Sequence, residues 1–152
     1  MTRPLQFAVV AFLGAAGVPA SSAQQPADSA WVARQVMIPA RDGVRLSTFI
    51  VSPRQSSAPL PLLLMRTPYG AAGPVSGFPG PFLYLARDGY VFVFQDIRGR
   101  GGSEGEYLMN RPFRSDSSGV DEATDTYDTI EWLVKNVPGT VARVGGLGIS
   151  YP

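Results

Sequence analysis

The residues best suited to chemistry stand at the carboxyl end of the chain, in the run Gly148-Ile149-Ser150-Tyr151-Pro152. The run matches the first four positions of the nucleophile pattern G-x-S-x-G, with Pro152 as an additional residue before an expected closing glycine. In that pattern a strand turns sharply into a helix, which lifts the serine hydroxyl out of the sheet in a strained backbone conformation. The amide of Tyr151 would then point at the oxyanion formed when Ser150 attacks a carbonyl. Glycine and serine are also common in ordinary turns, so the surrounding elements must decide between the two interpretations.

A serine nucleophile needs a general base, and the chain contains no histidine. Imidazole is the usual side chain that takes and returns a proton near neutral pH, so the sequence holds no Ser-His-Asp triad. Two interpretations are open at this point. Either the protein is not a hydrolase, or the histidine lies beyond the last residue given.

Composition excludes several other classes of protein. The chain has no cysteine, which excludes disulfides and thiolate metal sites. A formal net charge of +1 gives no electrostatic argument for binding nucleic acid or an anionic membrane. The hydrophobic fraction of 45% and the charged fraction of 16% are typical of a globular protein. We expect no cofactor and no metal site.

The first residues have the composition of a targeting signal. Arg3 precedes an apolar block over residues 7–17, and small residues follow at positions 20–23. The apolar block is shorter than the ~20 residues that a membrane-spanning helix needs. We therefore expect a signal peptide over 1–23, cleaved after Ala23, then a polar linker over 24–30, and a secreted or periplasmic mature protein. The alternative is an N-terminal core helix.

The elements that must position Ser150 begin with a hairpin. Asp42-Gly43 separates two short apolar or alternating runs, 35–38 and 44–51, a pattern typical of two antiparallel strands. Three later runs are almost continuously apolar, as in strands covered on both faces. These runs are 60–65, 90–94 and 141–149.

Two helices are predicted between these strands, over 82–87 and over 121–137. In the second helix, apolar residues recur at spacings of three and four and are expected to face the core: Ala123, Tyr127, Ile130, Val134 and Val137. Trp132 and Leu133 are expected to pack on the sheet. The carboxylates are expected to form a solvated face rather than a metal site: Asp121, Glu122, Asp125 and Asp128.

This order of elements predicts an α/β fold, a mostly parallel sheet with an antiparallel edge hairpin and helices on both faces. Ser150 directly follows a buried strand that itself follows an amphipathic helix. That is the setting of a nucleophile elbow, and it favours the nucleophile over the ordinary turn.

Five blocks of sequence, in order along the chain, resemble the CocE/NonD (X-Pro dipeptidyl-peptidase S15-like) family of α/β-hydrolase serine enzymes. The blocks are Arg41-Asp42-Gly43-Val44-Arg45-Leu46, Arg66-Thr67-Pro68-Tyr69, the run from Gln95 to Gly105, Asp125-Thr126-Tyr127-Asp128-Thr129-Ile130-Glu131-Trp132-Leu133, and Gly148-Ile149-Ser150-Tyr151-Pro152. Together they span nearly all of the mature chain.

The resemblance implies the N-terminal part of an α/β-hydrolase catalytic domain over 31–152, truncated at the nucleophile elbow. Ser150 would be the nucleophile, and the oxyanion hole would consist of the Tyr69 hydroxyl and the Tyr151 amide. The catalytic acid, the histidine, a helical cap and a β-sandwich domain would lie beyond Pro152. The segment alone would then be inactive and poorly stable, because the strand before Ser150 would have an open edge.

Asp96 stands at the end of a predicted strand, where a catalytic acid could orient a base. In this fold, however, the acid follows the nucleophile along the chain, and Asp96 precedes Ser150. We therefore expect Asp96 to brace a loop through Arg98 or backbone amides. The glycines over 99–105 match neither common phosphate-binding pattern and are expected to permit tight turns.

The resemblance implies a secreted serine hydrolase that cleaves an ester or amide through an acyl-enzyme. Its substrate would be a small molecule or peptide, as in acyl esterases, α-amino-acid ester hydrolases or X-Pro dipeptidyl-peptidases. The alternative from another class is a non-catalytic secreted domain kept for binding.

Overall fold

The computed structural model describes residues 30–113 and 119–151. The predicted signal peptide and all of the predicted linker except Ala30 lie outside the described residues, as does Pro152. Within the described ranges, no helix has the length and apolar character needed to cross a membrane.

Five strands form one sheet. They are β1 (Trp31–Pro39), β2 (Arg45–Pro53), β3 (Leu60–Thr67), β4 (Val91–Asp96) and β5 (Thr140–Gly146), in the spatial order β1-β2-β4-β3-β5. The β1–β2 hairpin is antiparallel, as predicted, and β2 pairs antiparallel with β4. The pairs β3–β4 and β3–β5 are parallel. The described part of the sheet is therefore mixed. Its antiparallel pairs lie on the β1 side, and its parallel pairs lie on the β5 side.

Three helices and a 3-10 turn accompany the sheet. They are α1 (Ala72–Ser76), the 3-10 turn Gly80–Phe82, α2 (Leu83–Asp88) and α3 (Glu122–Asn136). The predicted helix over 82–87 thus corresponds to the end of the 3-10 turn and to α2. Gly89, at φ +88°, ends α2 in the left-handed conformation that glycine adopts without strain.

The central strand β4 divides the core into two layers. Its side chains alternate, so Val91 and Val93 join a cluster that contains Leu133 of α3. Phe92 and Phe94 point the other way, into a cluster that contains Phe82 and Ala86. Helices therefore cover both faces, as the continuous apolar run of this strand predicted.

Helix α3 begins and ends within one residue of the predicted bounds, but the face that it presents to the sheet is only partly the predicted one. Its buried residues are Asp125, Thr129 and Leu133, whereas Tyr127 is 62% exposed. The predicted apolar stripe was therefore wrong for Ala123, Tyr127 and Val134, which are exposed, but Val137 is buried and Ile130 packs against the core as expected. The physical reason for the difference is that β3 and β4 present polar side chains to the first turns of α3. Polar residues of the helix face these side chains because they form hydrogen bonds with them. The expectation for Trp132 and Leu133 is confirmed, since both pack in this core cluster or against it.

The expectation of a solvated carboxylate face was also wrong for two residues. Asp121 caps the helix, because its Oδ1 accepts a hydrogen bond of 2.7 Å from the Thr124 amide. Asp125 is 2% exposed and lies against two arginines, Arg98 and Arg66. Arg98 donates to the Asp125 carboxylate at 2.7 and 3.0 Å.

Arg98 also donates to Asp42 in the hairpin turn, at 2.7 and 3.1 Å. The hydrogen bond to Asp125, together with the bond to Asp42, raises the pKa of the Arg98 guanidinium despite its burial. Burial alone would raise the pKa of the Asp42 carboxyl, but the hydrogen bonds from Arg98 and the Val44 amide outweigh it and lower that pKa. Both groups are therefore charged at neutral pH, and the pair joins the hairpin to the loop after β4.

Arg66, at the end of β3, is the second buried arginine. Its Nε donates to Gln95 at 2.9 Å, and its Nη1 donates to Thr126 at 2.6 Å and to Glu122 at 3.2 Å. Burial is the main cause that lowers the pKa of this guanidinium, and the nearby carboxylates of Glu122 and Asp125 oppose it. Arg66 therefore ties β3 and β4 to the first turns of α3.

Strand β5 differs from its prediction as a buried strand over 141–149. It ends at Gly146, and Ala142, Arg143 and Gly145 are exposed. The cause is topological, since β5 stands last in the order of described strands and pairs only with β3.

Replacing Asp125 tests the buried network. We expect Asp125→Ala to lower the free energy of unfolding by about 3 kcal/mol or more, because it leaves two buried guanidinium groups short of a counter-charge. Glu131→Ala is the control on the same helix, since Glu131 pairs with Lys135 at side-chain exposures of 50% and 66%. It should change the free energy by only about 0.5 kcal/mol. Urea unfolding followed by circular dichroism measures both, and equal effects would contradict the assignment.

Candidate active site

The structure brings together Ser150 and Tyr69, two of the predicted site residues. The Tyr69 hydroxyl donates a hydrogen bond to Ser150 Oγ at 3.3 Å. Tyr69 follows the end of β3 and Ser150 follows the end of β5. Because these strands are parallel neighbours, both residues emerge at the same edge of the sheet. Both side chains are exposed there.

The backbone at Ser150 has a conformation unusual for a residue with a side chain. Its φ is +66°, in the left-handed region. For residues with a Cβ this region costs roughly 1–2 kcal/mol. The nucleophile elbow has this same property, since the strained turn is what lifts the serine hydroxyl out of the sheet.

Tyr151, the third predicted site residue, is held through its side chain. Its phenol oxygen accepts a hydrogen bond of 3.1 Å from the Asn110 amide. Asn110 itself has φ +51°, which asparagine tolerates better than most residues. The sequence analysis did not single out Asn110. The available signal was an asparagine, a residue type enriched at positive φ, within a long polar loop. The loop around residue 110 therefore contacts the residue after the candidate nucleophile.

The loop that carries Tyr69 is fixed by its main chain. The Tyr69 amide donates to Thr67 Oγ1 at 3.1 Å, and the Pro68 carbonyl accepts from Arg100 Nε at 3.2 Å. The Ala71 amide donates to Asp96 Oδ1 at 2.7 Å. The expectation that Asp96 braces a loop through backbone amides is confirmed. The other expected partner, Arg98, pairs instead with Asp42 and Asp125.

Two of the cavities in the described part of the chain differ in their position relative to the candidate site. A cavity of about 440 Å³ is lined by residues of the loop that contacts Tyr151 and by one residue before α3: Leu108, Arg111, Pro112, Phe113 and Val120. A larger cavity of about 670 Å³ has Trp31, Pro53, Leu60 and Gly89 among its lining residues. Leu60 begins β3, so this larger cavity lies at the end of the sheet opposite Tyr69 and is not part of the candidate site.

Chemically, the arrangement provides an exposed hydroxyl in a strained turn and a phenol donor beside it. Over residues 30–113 and 119–151, no three His, Cys, Asp or Glu side chains are grouped so that they could hold a metal ion. With no histidine in the sequence, the chain does not itself supply the imidazole that would activate the hydroxyl.

Residues 42–152 match the family described as X-Pro dipeptidyl-peptidase (S15 family). The chain is 37% identical over 122 residues to cocaine esterase of Rhodococcus sp. (strain MB1 Bresler), a match that covers 79% of this chain and 19% of that protein.

Two solved structures are similar in both sequence and fold. An α-amino acid ester hydrolase labelled with selenomethionine superimposes with a TM-score of 0.75 at 42% identity, over 83% of this chain and 22% of its own. An aminopeptidase from the marine sediment archaeon Thaumarchaeota archaeon superimposes with a TM-score of 0.79 at 38% identity, over 91% and 24%. The chain thus spans about a fifth to a quarter of the length of these relatives.

A pair of substitutions isolates the backbone strain at Ser150. Both Ser150→Ala and Ser150→Gly remove the hydroxyl, but only glycine adopts a positive φ without cost. We expect the glycine variant to be more stable than the alanine variant by about 1 kcal/mol, as measured by chemical denaturation. If the alanine variant is the more stable one, residue 150 does not have a left-handed backbone.

Proposed function

Because the chain belongs to the X-Pro dipeptidyl-peptidase (S15) family and has its α/β-hydrolase fold, we propose that the complete protein is a secreted serine hydrolase. It cleaves an ester or amide through an acyl-enzyme on Ser150. The observation that carries this proposal is the Ser150 hydroxyl, held in a left-handed turn 3.3 Å from the Tyr69 hydroxyl.

In the first step Ser150 Oγ forms a bond to the substrate carbonyl carbon while a general base takes the hydroxyl proton. The carbonyl oxygen then becomes an oxyanion. As the tetrahedral intermediate collapses, the bond to the leaving alcohol or amine breaks and the leaving group takes up the proton. Water repeats the sequence on the acyl-enzyme and releases the acid.

Tyr69 and Tyr151 have complementary parts in this mechanism. The Tyr69 phenol is a directional donor beside Ser150 Oγ, close to where the oxyanion must form. The Tyr151 amide, directly after the nucleophile, is proposed as the second donor, as in other nucleophile elbows. Neither donor has to move a proton, so both act by stabilising charge.

The general base is proposed to be a histidine after residue 152, preceded along the chain by the acid that orients it, because the order in this fold is serine, acid, histidine. The family relatives cited above are named as esterases and an aminopeptidase. They support a small-molecule or peptide acyl substrate. The apolar block and small residues at the N-terminus support export of the protein.

A fluorophosphonate probe tests the proposal on the complete protein. We expect covalent labelling of the wild type and loss of labelling in Ser150→Ala, because the probe reacts only with an activated serine. Ser76→Ala is the matched control, since Ser76 is an exposed serine of α1 and should leave labelling unchanged. An unlabelled wild type would instead indicate the non-catalytic binding domain, and labelling that persists in Ser150→Ala would contradict Ser150 as nucleophile.

A further inference from the structure

The direction of the Tyr69 hydroxyl depends on the backbone that carries it. The side chain is 67% exposed, so packing restrains its ring only in part. Five hydrogen bonds fix the backbone over residues 67–71: the three described above, and those that the Thr67 and Gly70 carbonyls accept from the Ile97 and Gly73 amides at 3.1 and 3.3 Å. The bond from the Ala71 amide to Asp96 Oδ1 is the shortest of them, at 2.7 Å, and its acceptor is a carboxylate. Such charge-assisted hydrogen bonds are about twice as strong as neutral ones.

Asp96 is a rigid anchor for this loop. It is 3% exposed, ends β4 and stands opposite Thr67 in the parallel β3–β4 register. Its Oδ2 accepts from the Gly102 amide at 3.0 Å, and its carbonyl accepts from Ser103 Oγ at 2.6 Å.

The neighbouring glycine loop is shaped around this carboxylate. A Cβ placed on Gly101 would lie 2.3 to 2.4 Å from the carboxylate atoms of Asp96, which is closer than any real contact. Gly101 also has φ +53°, so the position favours glycine for a second reason. The carboxylate therefore has one position. In it, Oδ1 accepts from the loop that carries Tyr69 and Oδ2 accepts from the glycine loop.

From these contacts we propose that Asp96 is a positioning residue that sets the place of the Tyr69 hydroxyl in the oxyanion hole. The inference rests on the proposed function of Tyr69 and adds to it. Asp96 contacts neither the substrate nor the nucleophile in the proposed mechanism. It acts through its hydrogen bond with the amide of Ala71, two residues after Tyr69. Loss of this bond would let the Tyr69 hydroxyl move, and a displacement of about 1 Å can lower the rate on the order of 10²-fold.

The variant Asp96→Asn keeps the size of the side chain but has only one acceptor oxygen. Either the Ala71 amide or the Gly102 amide then faces an NH₂ group. In the complete protein, we expect kcat for hydrolysis of p-nitrophenyl acetate to fall by about 10-fold or more, with KM changed less than about 2-fold, because the interaction is made in the transition state.

A double-mutant cycle with Tyr69→Phe distinguishes positioning from general structural damage. Tyr69→Phe alone should lower kcat by roughly 10²-fold or more, as for the loss of one oxyanion donor. In that background Asp96→Asn should cost less than about 2-fold, because no hydroxyl remains to be misplaced. Damage to the fold would lower the rate in both backgrounds alike.

Asp128→Asn is the matched control. Its carboxylate also accepts a backbone amide and a guanidinium, both from Arg41, but it lies away from the Tyr69 loop. It should leave kcat unchanged. Each rate is divided by the concentration of serine that fluorophosphonate labels after complete reaction. Unfolded protein in a preparation then does not lower the measured kcat.

If Asp96→Asn proves insoluble, Ala71→Pro replaces it in the cycle. It removes the amide that donates to Asp96 Oδ1, and the φ of −67° at Ala71 suits proline. Equal losses of rate with and without the Tyr69 hydroxyl, or no loss at all, would overturn the inference while leaving the hydrolase proposal intact. A wild type that neither hydrolyses the ester nor is labelled at Ser150 would overturn the hydrolase proposal itself.

Discussion

The parallel pairing of β3 with β5 is the constraint on which the candidate site depends. The register sets Leu62 opposite Val144 and Leu64 opposite Gly146, and the Leu147 amide continues the ladder to the Leu64 carbonyl at 2.8 Å. From that point both chains leave the sheet at one edge, and Tyr69 and Ser150 meet there. Distances between side chains 81 positions apart along the sequence are thus fixed by main-chain hydrogen bonds.

At the same end of the sheet, a network of buried charges connects β3, which leads to Tyr69, to α3 and to the hairpin turn. Arg98 links the hairpin turn to α3 through Asp42 and Asp125, and Arg66 links β3 to the same helix. Buried guanidinium groups are stable only with carboxylates and hydrogen bonds around them, so these elements are constrained to one mutual arrangement. The exposed candidate site therefore lies next to a buried network of charged side chains. The residues of this network lie near the ends of β3 and β4, in the hairpin turn and in α3.

Short-range patterns predicted much of this fold. The Asp42-Gly43 turn indicated the hairpin, and the apolar run that became β4 indicated a strand covered on both faces. The G-x-S pattern indicated Ser150, where the left-handed φ agrees with the expected turn. Tyr69 was assigned by resemblance to a family, because neither its residue type nor its spacing by itself distinguishes a donor from a packed loop tyrosine.

The mispredicted features depend on partners distant in sequence. Asp125 is buried because Arg66 reaches it from β3 and Arg98 reaches it from the loop after β4, and no periodicity within α3 contains that information. The same long-range pairs turned the helix so that Tyr127 became exposed. The exposure of β5 likewise follows from strand order, which the residues of the strand do not encode.

In the proposed mechanism, Ser150, Tyr69 and the Tyr151 amide surround one reacting carbonyl. The most direct measurement is a crystal structure of the complete protein with a phosphonate bound covalently to the nucleophile. We expect an adduct on Ser150 Oγ, with one phosphonate oxygen about 2.7–3.1 Å from both the Tyr69 hydroxyl and the Tyr151 amide nitrogen. An adduct on another residue, or an adduct on Ser150 whose oxygens contact neither donor, would contradict it.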